Sequence, residues 1–277
     1  TCRDLAVMAA VAAILPACLG HRGLWWLAAA AVTTSCAAET QSLAAVVLAC
    51  VWPAVGMVVL VRLVLEAGPL LSWTRGRWVR VLAAGYGMVA AAWFVMSRAG
   101  ATPMGIHEPI VALTAVHFTY VGVAALMLAD AALARRRGRV DRVVGRWGLA
   151  LTAAAPPVVA AGFVTGSALP QIGGAVLVSL GVFCTATLEL QVAAQPGGAA
   201  TRTALAISGL SIWVPMVLAV TWAASRYYDV PALSTADMVR THGLVNAVGF
   251  VAAGLLARHL EHGYVHARAA ATKTAVD

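Results

Sequence analysis

Charge is scarce in this chain: 11% of its 277 residues are Asp, Glu, Lys or Arg, against 61% hydrophobic. A soluble domain needs roughly a quarter of its residues charged to stay dissolved, so the solvent for most of this chain is lipid. Period-two alternation of apolar and polar residues is also missing. The apolar runs are instead continuous for about 20 residues, the length of a helix crossing roughly 30 Å of hydrocarbon, which points to helices rather than a β-barrel. The five cysteines (Cys2, Cys18, Cys36, Cys50, Cys184) show no Cys-x-x-Cys spacing, and four lie in apolar runs. Neither a zinc site nor a disulfide framework is indicated, and they read as small packing residues. No repeat relates the two halves, which weakens an inverted-repeat architecture.

What is present is a series of apolar runs: Leu5 to Leu19, Leu24 to Ala38, Leu43 to Leu65, Trp78 to Ser97, Pro109 to Leu133, Gly148 to Leu169, Ile172 to Ala194, Thr203 to Ser225 and Ser234 to Ala257. The expected fold is all-α, a polytopic transmembrane helix bundle of about nine spans. The first two runs are short enough to form a tight hairpin or to include a re-entrant segment, and eight spans is the alternative count. Residues 1–277 read as one integral membrane domain, with 266–277 a disordered cytoplasmic tail. The chain starts at Thr1 rather than methionine, as a piece of a longer chain would. Leu5 to Leu19 has the length of a signal-peptide core but lacks an Ala-x-Ala-like cleavage site after it, which favours a retained span.

The net charge of +8 reflects topology rather than nucleic acid, because the arginines fall in short segments between apolar runs. Arg22, then Arg75, Arg77 and Arg80, then Arg135, Arg136, Arg137, Arg139, Arg142 and Arg146, then Arg202, and last Arg258, Arg268 and Lys273 occupy every second connection. That alternation predicts an external N-terminus and a cytoplasmic C-terminus in a bacterial plasma membrane. The basic segment from Ala134 to Trp147 anchors the topology and is able to attract anionic headgroups at about 1 kcal/mol per cation. Gly85, Gly87, Gly173, Gly174, Gly181 and Gly243 with Ala247 permit close helix approach. Pro156 and Pro157 free backbone carbonyls in mid-span, so a kink is expected there.

Polar residues inside these runs are the candidates for function, since an unpaired polar group in hydrocarbon is costly. His117 lies in Leu-Thr-Ala-Val-His-Phe-Thr-Tyr (Leu113 to Tyr120), and His242 in Thr-His-Gly-Leu-Val-Asn-Ala-Val-Gly-Phe (Thr241 to Phe250). With α-helical rise, His117 sits about 12 Å below the outer boundary and His242 about 8 Å below it. The two imidazoles are thus expected to share one polar pocket in the outer half, lined also by Thr114, Tyr120, Thr241 and Asn246. Glu108 suits a helix N-terminal cap before Pro109, and Ser234 with Asp237 resembles a capping box. Glu189 falls about 25 Å down, near the cytoplasmic side, with Arg62 as an expected counter-ion and Asp130 at the inner boundary. Glu189 and Glu108 are the candidate proton or exit positions.

The two histidine segments resemble the YndJ family of bacterial membrane proteins. There a Leu-Thr-Ala-Val-His-Phe-His-Tyr-type segment is followed by Thr-His-Gly-x-x-Asn-Ala-x-Gly-Phe. Thr119 departs from that pattern at the position of a second histidine. Members are commonly catalogued as transporters, so the resemblance implies a carrier. Its ligand would be a small or amphiphilic molecule, bound at His117, His242, Asn246, Thr114, Tyr120 and Thr241.

Two further activities fit the same residues. One is a membrane-embedded enzyme acting on a lipophilic, isoprenoid-like substrate, since imidazole both gives and takes protons near neutral pH. The other is a haem or metal site ligated by His117 and His242 on different helices. No cofactor is otherwise expected. The expected partners are the lipid bilayer and a small-molecule or lipid ligand, not nucleic acid.

Overall fold

The computed structural model describes residues 8–135, 138–195 and 198–261. The expected tail at 266–277, together with Cys2, Arg136, Arg137, Arg268 and Lys273, lies outside the described residues. Every apolar run folds as a helix: α1 (Ala10–Leu19), α2 (Arg22–Ala37), α3 (Leu43–Ala67), α4 (Arg75–Arg98), α5 (Ile110–Ala134), α6 (Arg139–Thr165), α7 (Ala168–Ala193), α8 (Ala199–Ser225) and α9 (Thr235–Glu261). Among the described residues there is no strand. The seven helices α3 to α9, each of 24 to 27 residues, are long and apolar enough to cross a membrane. The protein is an all-helical polytopic membrane protein.

The short first runs form a hairpin. Gly20 (φ 79°) and His21 (φ 56°) reverse the chain, and α1 packs back on α2. Prolines account for the interruptions elsewhere. The α-helical pattern of α8 breaks at Ile212, just before Pro215, whose missing N–H would have served the Ser211 carbonyl. In α3 the break falls at Cys50, ahead of Pro53. The start of α9 is capped as its sequence suggests: the Ser234 hydroxyl accepts from the Asp237 backbone N–H at 3.1 Å and donates to the Asp237 carboxylate at 2.7 Å.

Contacts divide the chain into two compact units. The first comprises Thr1–Asp130 with Thr152–Gly174, the second Ala131–Leu151 with Ala175–Asp277. In the first, α4 is the central element, packed on α1, α3 and α5 around Leu15, Trp52, Ala83, Ala90, Phe94 and Val123. Trp52 and Phe94 meet with ring centroids 5.6 Å apart. Helix ends are tied by polar contacts: Arg75 pairs with Asp130 at 2.6 Å, and Arg98 donates to the Ala38 carbonyl at 2.8 Å.

Tyr86 on α4 shows how the mid-span prolines are accommodated. Pro157 has no N–H for the Ala153 carbonyl four residues earlier, and the Tyr86 hydroxyl donates to that carbonyl instead. Gly122 on α5 makes room for this tyrosine, since a Cβ there would lie 2.6 Å from the Tyr86 Cβ. Tyr86→Phe keeps the ring and removes the donor. We expect it to lower stability by about 1 kcal/mol, read as a lower unfolding midpoint in detergent; an unchanged midpoint would show that the carbonyl needs no partner.

In the second unit, α8 packs along α9. Ala204 and Leu205 cluster with Ala193 and Ala257, and the Ser208 hydroxyl donates to the Phe250 carbonyl at 2.9 Å. Phe183 stacks on Trp213 at 4.6 Å between centroids. Arg135 pairs with Glu261 at 2.6 Å, which sets the C-terminal ends of α5 and α9 at one level. An even number of crossings must separate those two ends, in agreement with the four helices α6 to α9.

The small-residue pattern is corrected in part. A Cβ on Gly85 or Gly173 would meet nothing within 4 Å, and one on Gly243 only a backbone oxygen of its own helix at 3.8 Å. Close approaches instead occur at Gly122, Gly162, Gly174, Gly209 and Gly249. Glycine content in a span says that approach is allowed; which face meets a neighbour is decided by packing.

Candidate functional site

His117 is positioned by the start of α5. The Glu108 carboxylate accepts the backbone N–H of Ala112 at 3.4 Å and the hydroxyl of Ser97, so it caps the helix and ties it to α4. Residues Ile110–His117 are α-helical, and at Phe118 the helix widens into a π-helix that runs to Ala125. His117 and Tyr120 are each half-buried, on the most enclosed of the seven spans, with 61% of its apolar window buried. The Thr114 hydroxyl donates to the Ile110 carbonyl at 2.7 Å, so its proton is spent on its own helix rather than on His117. The Phe118 ring packs on Tyr86 at 5.8 Å.

His242 occupies the same kind of backbone. Val239–Gly243 and Val245–Ala252 are both π-helical, so the Thr241 to Phe250 motif lies in widened turns except at Leu244. The imidazole Nδ1 lies 2.7 Å from the Pro215 carbonyl oxygen on α8. A carbonyl only accepts, so Nδ1 carries the proton and Nε2 is left as an acceptor. The Asn246 amide donates to that Nε2 at 3.2 Å, while the Asn246 Oδ1 is buried with no hydrogen-bond partner among the described residues. Thr241 is exposed and its hydroxyl donates to the Asp237 carbonyl at 2.7 Å. The α-helical rise used to place His242 overstates its distance from Ala257, because π turns hold more residues each.

π-helical turns in membrane and soluble proteins alike are costly irregularities, and they concentrate at functional sites. Among the described residues they occur at 10–14, 118–125, 239–243 and 245–252. Three of those four segments fall on or directly against the two histidine motifs.

Glu189 on α7 is a separate polar position in the second unit. It is completely buried, and neither carboxyl oxygen has a hydrogen-bond partner among the described residues. The Ser208 hydroxyl and the Arg135–Glu261 pair are the polar groups that act on it. Ser208 nevertheless gives its proton to Phe250, and Arg135 is already neutralised by Glu261. Gly209 explains the seal: a Cβ there would lie 2.7 Å from Leu190 and 2.9 Å from the Ala186 carbonyl, so α8 crosses tightly over this stretch of α7. Thr185, one turn above, is buried with its hydroxyl on the Gly181 carbonyl at 3.2 Å.

The family model described as YndJ-like protein matches residues 5–250, which includes both histidine motifs and every helix but the end of α9. The chain belongs to the YndJ-like family. No curated protein and no solved structure matches it. In this YndJ-like protein Thr119, at the divergent motif position, is fully buried with its hydroxyl on the Ala115 carbonyl at 3.0 Å.

The structure thus joins His242, Asn246 and Pro215, and it places His117, Thr114 and Tyr120 together along α5. His117 belongs to the first unit and His242 to the second. Among the described residues, no group of three or more His, Cys, Asp or Glu side chains comes together. Sequence reasoning missed Pro215, Tyr86 and the role of Arg135 beside Glu189. Only Tyr86 left a signal, because Pro157 implied a carbonyl in need of a donor.

Proposed function

We propose that this protein is a transporter of a small or amphiphilic molecule in a bacterial plasma membrane, with the π-helical histidine segments as its substrate-contacting parts. The observation that carries this reading is the coincidence of both motifs with widened helical turns. A π turn leaves its side chains off the packing register of an α-helix and weakens the local ladder, which suits a segment that must rearrange around a passing ligand. His242 is held between the Pro215 carbonyl and the Asn246 amide, and the Asn246 Oδ1, which has no hydrogen-bond partner among the described residues, is the acceptor that a ligand donor can fill. His117, Thr114, Tyr120 and Thr241 supply the remaining contacts. Glu189 carries a proton, because an ionised carboxylate sealed among apolar groups is far costlier than a neutral acid. The ends bearing Arg75 and Arg135 face the cytoplasm and the N-terminus faces outward, as the arginine distribution requires.

The test is uptake. Proteoliposomes are incubated with a mixed library of small polar and amphiphilic metabolites, and the lumen contents are read by mass spectrometry. At least one compound should accumulate with the wild type and fall on the order of tenfold with His242→Ala, which leaves Asn246 without the partner that orients its Oδ1 for the ligand. Accumulation of no compound, or accumulation untouched by His242→Ala and His117→Ala alike, would sink the proposal.

A further inference from the structure

At the turn between α3 and α4 a cavity of about 220 Å³ is lined by Leu63, Glu66, Ala67, Arg77, Arg80 and Val81. Two cations and one anion face the same small space. Arg77 is held in place by donating to the Ala67 carbonyl at 3.1 Å, which closes one wall. The Arg80 guanidinium makes no hydrogen bond or ion pair to the described residues, and Arg80 and Glu66 are both exposed toward the cavity mouth. The level is that of a membrane boundary, since α3 ends at Ala67 and α4 begins at Arg75.

The surroundings of the cavity are apolar in an unusual place. Leu71 is fully exposed, Leu65 and Leu70 are largely so, and all three flank the turn. Trp73 and Trp78 pack against each other at a tilt, with centroids 4.5 Å apart, and the Trp73 indole N–H is tied to the Gly68 carbonyl at 2.8 Å. Tryptophans with one polar tether and one apolar face belong at headgroup depth. Around the charged cavity there is therefore a rim on which acyl chains can lie.

We infer that this cavity binds a phospholipid headgroup of the aminophospholipid class, with the phosphodiester on Arg77 and Arg80 and the headgroup amine on Glu66. Guanidinium groups match phosphate oxygens in charge and geometry, and a carboxylate beside them selects an ammonium. The occupant is thus zwitterionic with a primary amine. A purely anionic headgroup would meet the Glu66 carboxylate, and a choline headgroup offers it no N–H. The site is independent of the histidine segments and of the transport reading.

The full-length protein in detergent is titrated with short-chain phosphatidylethanolamine, phosphatidylglycerol, phosphatidylcholine or inorganic phosphate, and bound lipid is counted by native mass spectrometry. Phosphatidylethanolamine should bind best. Arg80→Gln should weaken it on the order of tenfold, as expected for one charge-assisted hydrogen-bonded contact. Glu66→Gln should weaken phosphatidylethanolamine and strengthen phosphatidylglycerol. Both residues are exposed, so folding is not at stake. Equal binding of the three lipids, a wild-type preference for phosphatidylglycerol, displacement by inorganic phosphate alone, or indifference to Arg80→Gln would each overturn the assignment.

Discussion

Glu189→Lys should yield no folded protein, while Glu189→Gln should fold within about 1 kcal/mol of the wild type. The side chain is completely enclosed, and Arg135, the cation acting on it among the described residues, is already paired with Glu261 at 2.6 Å. A lysine would place an ammonium in that enclosed space beside Arg135, with no unpaired carboxylate among the described residues to receive it. An uncompensated buried charge costs about 3–5 kcal/mol, a large part of the roughly 5–15 kcal/mol that holds a protein folded. Glutamine matches the shape of the neutral acid and cannot ionise. The measurement is the yield of monodisperse protein after extraction, with the unfolding midpoint of what survives. A stable lysine variant would mean that water reaches position 189.

Gly249→Ala is expected to be the most damaging single methyl group in the second unit. The added Cβ would lie 2.5 Å from the Ser211 Cβ and 2.7 Å from its hydroxyl oxygen, well inside contact distance. The Ser211 Cβ is fixed to the backbone and cannot rotate out of the way, so α9 has to shift away from α8. Overpacking of this kind costs about 1–3 kcal/mol. The shift also strains the 2.7 Å contact between His242 and the Pro215 carbonyl, because those groups bridge the same two helices. Ser211→Gly removes the opposing atoms, and the double variant should regain most of the lost stability. The double-mutant cycle read from unfolding midpoints should show a coupling of roughly the size of the Gly249→Ala loss. Additive effects would mean that the clash is relieved elsewhere.

The helices were legible because their determinants are local. Each apolar run is long enough to satisfy its own backbone, and lipid offers no alternative partner, so every run from Leu43 onward became a helix of spanning length. The caps were legible for the same reason: Ser234 and Asp237 lie one turn apart, and so do Glu108 and Ala112. The glycines were not. Gly173 and Gly174 are adjacent in sequence, yet only Gly174 faces a neighbour, with Val159 packed against it.

The histidine motifs were found from composition, since imidazole and amide groups are rare in hydrocarbon. Their backbone was not foreseen. A π turn depends on small differences in how one helix packs on another, which no residue count reveals. Asn246 was expected beside His242 from four-residue spacing, and it is there at 3.2 Å. The Pro215 carbonyl, 27 positions away in the chain, was not expected, because every residue in α8 carries a carbonyl and sequence cannot say which one is met.

By itself, the sequence determined that this chain lives in lipid, that its apolar runs form helices of crossing length, and which side chains are too polar to be there by accident. These follow from the cost of unsatisfied backbone in hydrocarbon, a cost that each segment meets alone. Only the tertiary structure decided that Tyr86 serves the carbonyl left by Pro157, that Glu189 is sealed beneath Gly209 near the Arg135–Glu261 pair, and that the histidines sit on or against widened turns. Those outcomes depend on which faces of separate helices meet, and between apolar helices in an apolar solvent that choice rests on shape and on a few hydrogen bonds.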